Sequence, residues 1–306
     1  MKELIVIGHK NPDTDSVISA KILALLFEKE GKDVVARVAG EVNRETEFVF
    51  SYFKEDVPSL ISEGEGEQFF LVDHNEIAQS VAKKEMVCGV LDHHMLSGLK
   101  TDKAIFFRVE EVGSTCTLVY KMMKEKGIDC DKEEAGLLLA GIISDTLNLN
   151  SPTTTTEDID FCYELSEISK VDPNGFAEKM FEAKSDLSGR SLEEIIFRDA
   201  KEYEFGGKKV VVGMAETTSL VYFIENKKEI SEFLKKTKKK KETDALFFGV
   251  VDIIKSNTLF FPAEEDERDV IREVFQGEEK DEYFLLKNVS SRKKEIVPPL
   301  SKFYDN

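Results

Sequence analysis

Short apolar runs alternate with amphipathic stretches through the first half of the chain. Apolar, β-branched runs predict strands, and apolar positions spaced three and four residues apart predict helices. The predicted strands cover residues 4–8, 34–38, 68–72, 87–91 and 104–108. The predicted helices cover residues 17–31, 45–53, 77–84, 114–126, 132–149 and 156–168. Strands that alternate with helices through short loops are typical of an α/β fold with a doubly wound, mainly parallel sheet.

The pattern loosens at residues 184–191, where small and polar residues predict an interdomain linker. Beyond it, strands are predicted at 208–214, 245–251 and 283–287, and helices at 217–236 and 265–275. These elements indicate a separate, smaller α/β domain with a mixed sheet. A length of 306 residues also fits two domains. We therefore expect domains at residues 1–186 and 192–306, joined by a flexible linker at 187–191.

Composition and charge limit the classes of partner. The net charge is −18, whereas nucleic acids and anionic membranes demand a basic protein surface, so we expect neither as a partner. No apolar run approaches the roughly 18 residues that span a bilayer.

The four cysteines are far apart and form no C-x-x-C pair, which favours free thiols in a reducing cytoplasm over disulfides or a zinc site. The lysine run at 235–241 is expected to be a solvated helix end or loop.

Histidines and aspartates gather at the ends of the predicted strands. The run at 87–91 is followed at once by Asp92, His93 and His94, and the other two histidines, His9 and His74, also follow strands. In open α/β sheets, ligands bind at the carboxyl ends of the strands. Histidines that serve only packing are rarely clustered in this way, so the cluster indicates a metal or catalytic site.

Four aspartates extend this pattern. Asp13 and Asp15 follow His9 on one loop, Asp73 follows the strand at 68–72, and Asp145 lies in an otherwise apolar helix. Each has an ordinary alternative role, because Asp13 or Asp15 could cap the next helix and Asp145 could be satisfied by hydroxyls. Taken together they favour a metal, since an unpaired buried carboxylate is costly and one ion compensates several.

The ligand types narrow the choice of metal. Two imidazoles and four carboxylates suit a pair of divalent ions such as Mn²⁺, with one carboxylate bridging. Mixed nitrogen and oxygen ligands disfavour Ca²⁺ and Mg²⁺, and the absence of cysteine ligands disfavours structural zinc. Two ions about 3.5–4 Å apart can lower the pKa of a shared water and clamp a phosphoryl group in line. The residues therefore predict metal-assisted phosphoryl hydrolysis.

A series of motifs along both halves of the chain agrees with this chemistry. The series comprises His9-x3-Asp13-x-Asp15, Val72-Asp73-His74-Asn75-Glu76, Asp92-His93-His94, Val112-Gly113-Ser114-Thr115, Ser144-Asp145-Thr146 and Ser291-Arg292-Lys293-Lys294, with GEVNRETE at 40–47 as a further match. It resembles the motif series of the DHH phosphoesterases and, more narrowly, that of the manganese-dependent (family II) inorganic pyrophosphatases. The segment at 75–87 leaves no room for the nucleotide-sensing insert of some relatives, so adenylate control is not expected.

The resemblance implies an enzyme that hydrolyses inorganic pyrophosphate in a cleft between its two domains. It implies one Mn²⁺ on His9, Asp13 and Asp73. It implies a second Mn²⁺ on Asp15, Asp73, His93 and Asp145, with Asp73 as the bridge.

The resemblance also implies the partners of the substrate. The phosphates would be held by His94, Lys201, Arg292 and Lys293, which with Asp73 form the expected catalytic set. In family members the C-terminal domain closes over the cleft, which would bring these cations to the metals. Co²⁺ is an alternative to Mn²⁺, Mg²⁺ would arrive with the substrate, and a homodimer through edge strands of the first domain is expected.

Three alternatives differ from this hypothesis. Related exonucleases and cyclic-dinucleotide phosphodiesterases carry a glycine-rich, histidine-containing motif in the second domain, and this chain has no histidine after residue 94. A short-chain exopolyphosphatase is the nearer alternative, which the sequence discriminates poorly. A non-catalytic phosphate-binding protein predicts lost ligands, but the full set is present.

Overall fold

The structure, a computed structural model, describes residues 4–62, 68–96, 98–185, 187 and 189–305. The chain divides into two units, Met1–Lys184 and Ser185–Asn306. Residues 186 and 188, at the expected end of the first domain and inside the expected linker, lie outside the described residues. Within the described part of the chain, no helix is both long enough and apolar enough to cross a membrane.

The first unit is built on a five-stranded, wholly parallel sheet. Its strands are β1 (Leu4–Ile7), β2 (Val34–Arg37), β3 (Gln68–Val72), β4 (Val87–Asp92) and β5 (Phe106–Val109), in the order β2-β1-β3-β4-β5. The chain leaves β1 in one direction to form β2 and returns on its other side to form β3. The carboxyl ends of β1 and β3 therefore flank the switch point, where ligands bind in such sheets. The prediction of a mainly parallel sheet is confirmed.

In the part of the first unit that the structure describes, six α-helices accompany this sheet. They are α1 (Thr14–Lys29), α2 (Arg44–Phe53), α3 (Thr115–Lys126), α4 (Lys132–Asp145), α5 (Thr156–Ser169) and α6 (Pro173–Lys184). The last of these was not predicted. One face of the sheet packs into a cluster that includes Ile5, Ile7, Leu71 and Val90, all fully buried.

One helix prediction in the first unit is wrong, and another extends too far. The stretch at 77–84 forms two 3₁₀ turns, Ile77–Gln79 and Lys84–Met86, separated by an extended Ser80. The Ser80 hydroxyl accepts a hydrogen bond from the backbone of Ala82, a local bond that competes with a helix. The helix predicted at 132–149 ends at Asp145, because residues 147–149 all adopt left-handed backbone conformations.

The second unit contains a mixed sheet, as predicted, but it has six strands where the sequence predicted three. Its strands are β6 (Ala200–Phe205), β7 (Lys208–Thr217), β8 (Ala245–Asp252), β9 (Asn257–Pro262), β10 (Glu278–Glu279) and β11 (Phe284–Leu286). The order is β10-β11-β9-β8-β7-β6, and only β7 and β8 pair in parallel. Its helices are α7 (Leu192–Phe197), α8 (Val221–Glu225), α9 (Lys227–Lys241), α10 (Glu265–Val274) and α11 (Val297–Tyr304), with a π-helical turn at Arg292–Ile296 before α11.

Both faces of this second sheet are buried. Along β7, Val210 and Val212 enter one apolar cluster and Val211 enters the other. Strand β8 is buried along its whole length, as expected for a central strand that is covered on both sides. The helix predicted at 217–236 is divided at Asn226 into α8 and α9.

Candidate metal centre

The loop after β1 supplies the first candidate residues. Asp13 is the N-cap of α1, and its Oδ1 accepts a hydrogen bond from the backbone of Ser16 at 3.0 Å. Its other oxygen, Oδ2, lies 3.5 Å from His9 Nε2. Capping and ligation are therefore compatible, because the two functions use different oxygens of one carboxylate.

Asp73, directly after β3, lies at the centre of the cluster. It is buried, and its backbone is left-handed with φ of 61°. Its Oδ1 accepts a hydrogen bond from Thr115 Oγ1 at 2.9 Å and lies 3.3 Å from His93 Nε2, while Oδ2 lies 3.4 Å from His9 Nε2. A left-handed residue other than glycine costs about 1–3 kcal/mol and is typical of functional sites.

Asp15 is held by the N-terminus of α3. Its Oδ1 accepts hydrogen bonds from Ser114 Oγ at 2.6 Å and the Cys116 amide at 2.9 Å, and its Oδ2 accepts from the Thr115 amide at 2.7 Å. A helix N-terminus stabilises a negative charge. Burial, with a smaller contribution from Asp73, still raises the pKa of Asp15 to about 6. The carboxylate is therefore fixed in place but short of positive charge.

The end of β4 orients two histidines. Asp92 Oδ1 accepts hydrogen bonds from the amides of His93 and His94 and from His94 Nδ1, the last at 2.9 Å. His93 Nδ1 donates to the Val112 carbonyl at 3.0 Å. Each imidazole therefore uses Nδ1 to hold its ring, which leaves Nε2 for another partner. The carboxylate of Asp92 raises the pKa of His94 against the effect of burial.

Three groups of side chains have the geometry of cation sites. They are His9, Asp13 and Asp73; Asp15, Asp73, His93 and Asp145; and Asp73, His93 and His94. The ligand atoms within each group lie within 4.8 Å of one another. Two ligands about 2.0–2.2 Å from one ion are themselves about 3.0–3.6 Å apart. The histidine–carboxylate separations of 3.3–3.5 Å fall in this range.

The electrostatics of the cluster also favour cations. Burial would lower the pKa of His9 and His93, but the adjacent carboxylates raise these values to about 10 and about 12. Burial raises the pKa of Asp145 well above its usual range. Asp73 Oδ2 and His93 Nε2 are buried without a hydrogen-bond partner among the described residues. Oxygen and imidazole donors with unsatisfied buried atoms fit divalent ions such as Mn²⁺.

The candidate cations of the second unit lie on β6 and on the π-helical turn. Lys201 lies on edge strand β6, exposed and opposite Val212 of β7. The Arg292 guanidinium donates to the carbonyl of Asp199 at 2.6 Å and to Asp199 Oδ1 at 2.7 Å, and lies 3.5 Å from the Val212 carbonyl. Lys293 is exposed on the π-helical turn.

Sequence reasoning missed several residues that support the cluster. Asp158 is fully buried and accepts hydrogen bonds from the Gly113 amide at 2.8 Å and Thr117 Oγ1 at 2.5 Å, which fixes the start of α3. Glu45 is also fully buried and contacts hydroxyls of two other helices. The T-x-x-D spacing at 155–158 signals a capping box, but no local pattern reveals the distant contacts.

Comparison with known proteins agrees with the geometry. A model of the DHH family N-terminal domain matches residues 3–142, and a model of the DHHA2 domain matches residues 178–303. A Clostridium acetobutylicum protein named "Probable manganese-dependent inorganic pyrophosphatase" is 38% identical over 305 residues, which covers 98% of each chain. The Bacillus subtilis manganese-dependent inorganic pyrophosphatase is 36% identical over 305 residues, again 98% of each chain.

The chain belongs to the family of manganese-dependent inorganic pyrophosphatases. The crystal structure of a Methanococcus jannaschii protein assigned to the family II pyrophosphatases is 33% identical, with a TM-score of 0.62 over 99% of this chain and 100% of that one. An exopolyphosphatase-related protein from Bacteroides fragilis shares the fold at 16% identity, with a TM-score of 0.52. The resemblance to the pyrophosphatases that the motifs indicated is confirmed.

Proposed function

We propose that this protein hydrolyses inorganic pyrophosphate to two phosphates and depends on Mn²⁺. The observation that carries the proposal is the convergence of two histidines and several carboxylates on Asp73, where buried ligand atoms have no hydrogen-bond partner within the described part of the chain. Membership of a family whose relatives are named for this activity supports it over the full length of the chain.

We assign the metal ligands to two overlapping sets. One set is His9, Asp13 and Asp73, and the other is Asp15, Asp73, His93 and Asp145. Asp73 belongs to both and presents a different oxygen to each histidine, as a bridging carboxylate does. We further propose two Mn²⁺ ions per chain, with Co²⁺ as a substitute and Mg²⁺ entering with the substrate.

Bound divalent ions supply an acidified water as nucleophile and neutralise charge on the phosphoryl oxygens. The chain's own residues then hold the substrate. His94 is fixed through Nδ1 by Asp92 and is half exposed, so its Nε2 is available to a phosphate oxygen. Because Asp92 raises the pKa of His94, the imidazolium can donate a proton or a charge-assisted hydrogen bond there.

We propose that three cations of the second unit also bind the substrate phosphates. Arg292 presents a guanidinium that suits two oxygens of one phosphate, and Lys201 and Lys293 add mobile ammonium groups. A chain with a net charge of −18 repels pyrophosphate unless such cations are placed locally. We therefore assign charge stabilisation on the transferred and leaving phosphates to Lys201, Arg292 and Lys293.

We also propose an oligomeric state, a cellular location and the partners of the enzyme. We propose a homodimer through β5, because this edge strand exposes Phe106 and Phe107 by 45% and 43%. We propose a cytoplasmic location, supported by four free cysteines. The acidic surface supports the absence of a nucleic-acid partner. We also propose that residues 187–191 form a flexible linker between the two domains.

Phosphate release by the purified protein tests the function. The protein is stripped with a chelator, supplied with Mn²⁺ and Mg²⁺, and given pyrophosphate, tripolyphosphate or single-stranded DNA. We expect rapid phosphate release from pyrophosphate, which is lost on chelation and restored when Mn²⁺ is added back. Preferred cleavage of tripolyphosphate would identify an exopolyphosphatase instead. Metal binding without turnover of any substrate would indicate a non-catalytic protein.

A further inference from the structure

The carboxylate of Glu45 is a buried charge to which the proposed mechanism gives no role. It lies in the first turn of α2 and is fully buried. Its Oε2 accepts hydrogen bonds from Thr14 Oγ1 at 2.9 Å and Ser144 Oγ at 2.8 Å, and lies 3.0 Å from Lys184 Nζ. Its Oε1 is buried without a hydrogen-bond partner among the described residues. All three contacts of the carboxylate therefore converge on one oxygen.

The two hydroxyls that Glu45 binds occupy particular places in the chain. Thr14 stands between Asp13 and Asp15 at the start of α1, and Ser144 directly precedes Asp145 at the end of α4. Asp15 and Asp145 belong to the same candidate cation group. One carboxylate oxygen therefore links side chains that are the immediate chain neighbours of both ligands.

We propose that Glu45 is a positioning residue of the metal centre, which sets the distance between Asp15 and Asp145 before the ions bind. This inference rests on the proposed function and adds a residue to it. The carboxylate accepts hydrogen bonds from both hydroxyls. Its negative charge is balanced by Lys184, the last residue of α6. Buried partners of metal ligands commonly tune metal affinity in this way, although they never contact the ion.

The same two helices provide a matched control at their opposite ends. Lys29, the last residue of α1, lies 2.7 Å from Glu134, in the first turn of α4. Glu134 is also buried, with 9% of its side chain exposed. This ion pair joins α1 to α4 far from the ligand-bearing ends. It therefore has the structural role that Glu45 would have if it only held the helices together.

The experiment compares two double variants, each of which removes a buried glutamate together with its lysine partner and so leaves no uncompensated charge. These are Glu45→Ala with Lys184→Met, and Glu134→Ala with Lys29→Met. Mn²⁺ dissociation constants are measured by titration calorimetry on the metal-stripped proteins, and kcat is measured at saturating Mn²⁺. Circular dichroism and thermal melting record the folded state of each variant.

We expect the Glu45 variant to weaken Mn²⁺ binding by about 10–100-fold, the usual effect of losing a residue that orients ligands. Its kcat should fall as well, because the ligands are misplaced even when loaded. The Glu134 variant should lose thermal stability but keep its Mn²⁺ affinity. Equal Mn²⁺ affinity in the two variants would overturn the inference, since it would reduce Glu45 to a structural ion pair.

A single variant, Ser144→Ala, keeps the test valid if the Glu45 variant does not fold. It removes one hydroxyl contact and leaves the Glu45–Lys184 pair in place. We expect weaker Mn²⁺ binding with an unchanged melting profile of the stripped protein, and unchanged binding would contradict the inference. The proposed function is judged separately on the unmodified protein, and it fails if that protein binds Mn²⁺ but releases no phosphate from pyrophosphate or prefers tripolyphosphate.

Discussion

The metal centre of the first unit and the cationic group of the second differ in how their charges are held. Asp15 and Asp73 are buried, and hydrogen bonds from α3 fix both carboxylates. Lys201 and Lys293 are exposed, and Arg292 alone is anchored, through Asp199. The first site is organised by burial and hydrogen bonds, whereas the second leaves its two lysines in contact with solvent and anchors Arg292, 12% of whose side chain is exposed.

This difference follows from the cost of desolvation. A buried carboxylate without compensation is expensive. The negative charge of the cluster is therefore compensated either by protonated His9 and His93, whose pKa values are raised, or by a resident metal ion. A substrate that binds and leaves in each cycle can instead be met by lysines whose ammonium groups stay in water at the end of a flexible side chain. This difference in burial agrees with the proposed division between residues that hold the metal and residues that bind the substrate.

The largest effect is expected from Asp73→Asn, which keeps the shape of the side chain and removes the charge shared by both candidate sites. Loss of a single electrostatic donor lowers turnover by about 10²–10³-fold. Turnover of this variant should fall by more than that. Mn²⁺ content, measured by atomic absorption after gel filtration, should fall with it. Retained turnover in this variant would refute the bridging role.

Removal of the metal should destabilise one unit more than the other. At a free Mn²⁺ concentration of about 100 Kd, binding stabilises the folded state by about 2.7 kcal/mol, which raises Tm by about 5–10 °C for a unit of this size. Hydrogen exchange read by mass spectrometry should localise the loss on chelation to peptides around Asp15, Thr115 and Asp145. Peptides from β8 should be unaffected, and equal loss there would contradict the separation of the two roles.

Substitution of Arg292 should lower activity without the loss of Mn²⁺ that is expected of Asp73→Asn. Arg292→Ala is expected to lower kcat/KM by about 10–10²-fold, because a charge-assisted contact with a phosphate is lost. Its Mn²⁺ content should match that of the unmodified protein. Arg292→Lys should recover part of the loss, since it keeps the charge but not the planar fork. Loss of metal in either variant would contradict the assignment to substrate handling.

Local sequence patterns were sufficient for much of this picture. The parallel strands were predictable because each is a short apolar run, and the chemistry-bearing residues stood out because they follow β1, β3 and β4. Both features depend only on neighbours in the chain. Family motifs then supplied the roles that residue types alone left open, as for Lys201 on an exposed edge strand.

The features that could not be predicted depend on distant contacts. Asp73 and residues 147–149 adopt left-handed conformations without glycine, which persist only because the surrounding fold determines them. Glu45 meets its hydroxyl partners 31 and 99 positions away along the chain. Strand β6 was missed because an edge strand with exposed lysine and glutamate lacks a clear apolar pattern.

The smallest effect is expected from Asp199→Asn, which loosens the one anchored cation of the second unit. Asp199 has 61% of its side chain exposed, and an exposed ion pair contributes about 0–1 kcal/mol. The backbone carbonyl of Asp199 still accepts from Arg292 in the variant, so the guanidinium is only partly released. We expect kcat/KM to fall by about two- to fivefold, the equivalent of up to about 1 kcal/mol, with Mn²⁺ content and Tm unchanged. A loss as large as that of Arg292→Ala would mean that the orientation of Arg292 is as critical as its charge, and the contrast between a rigid metal centre and an adaptable substrate site would fail.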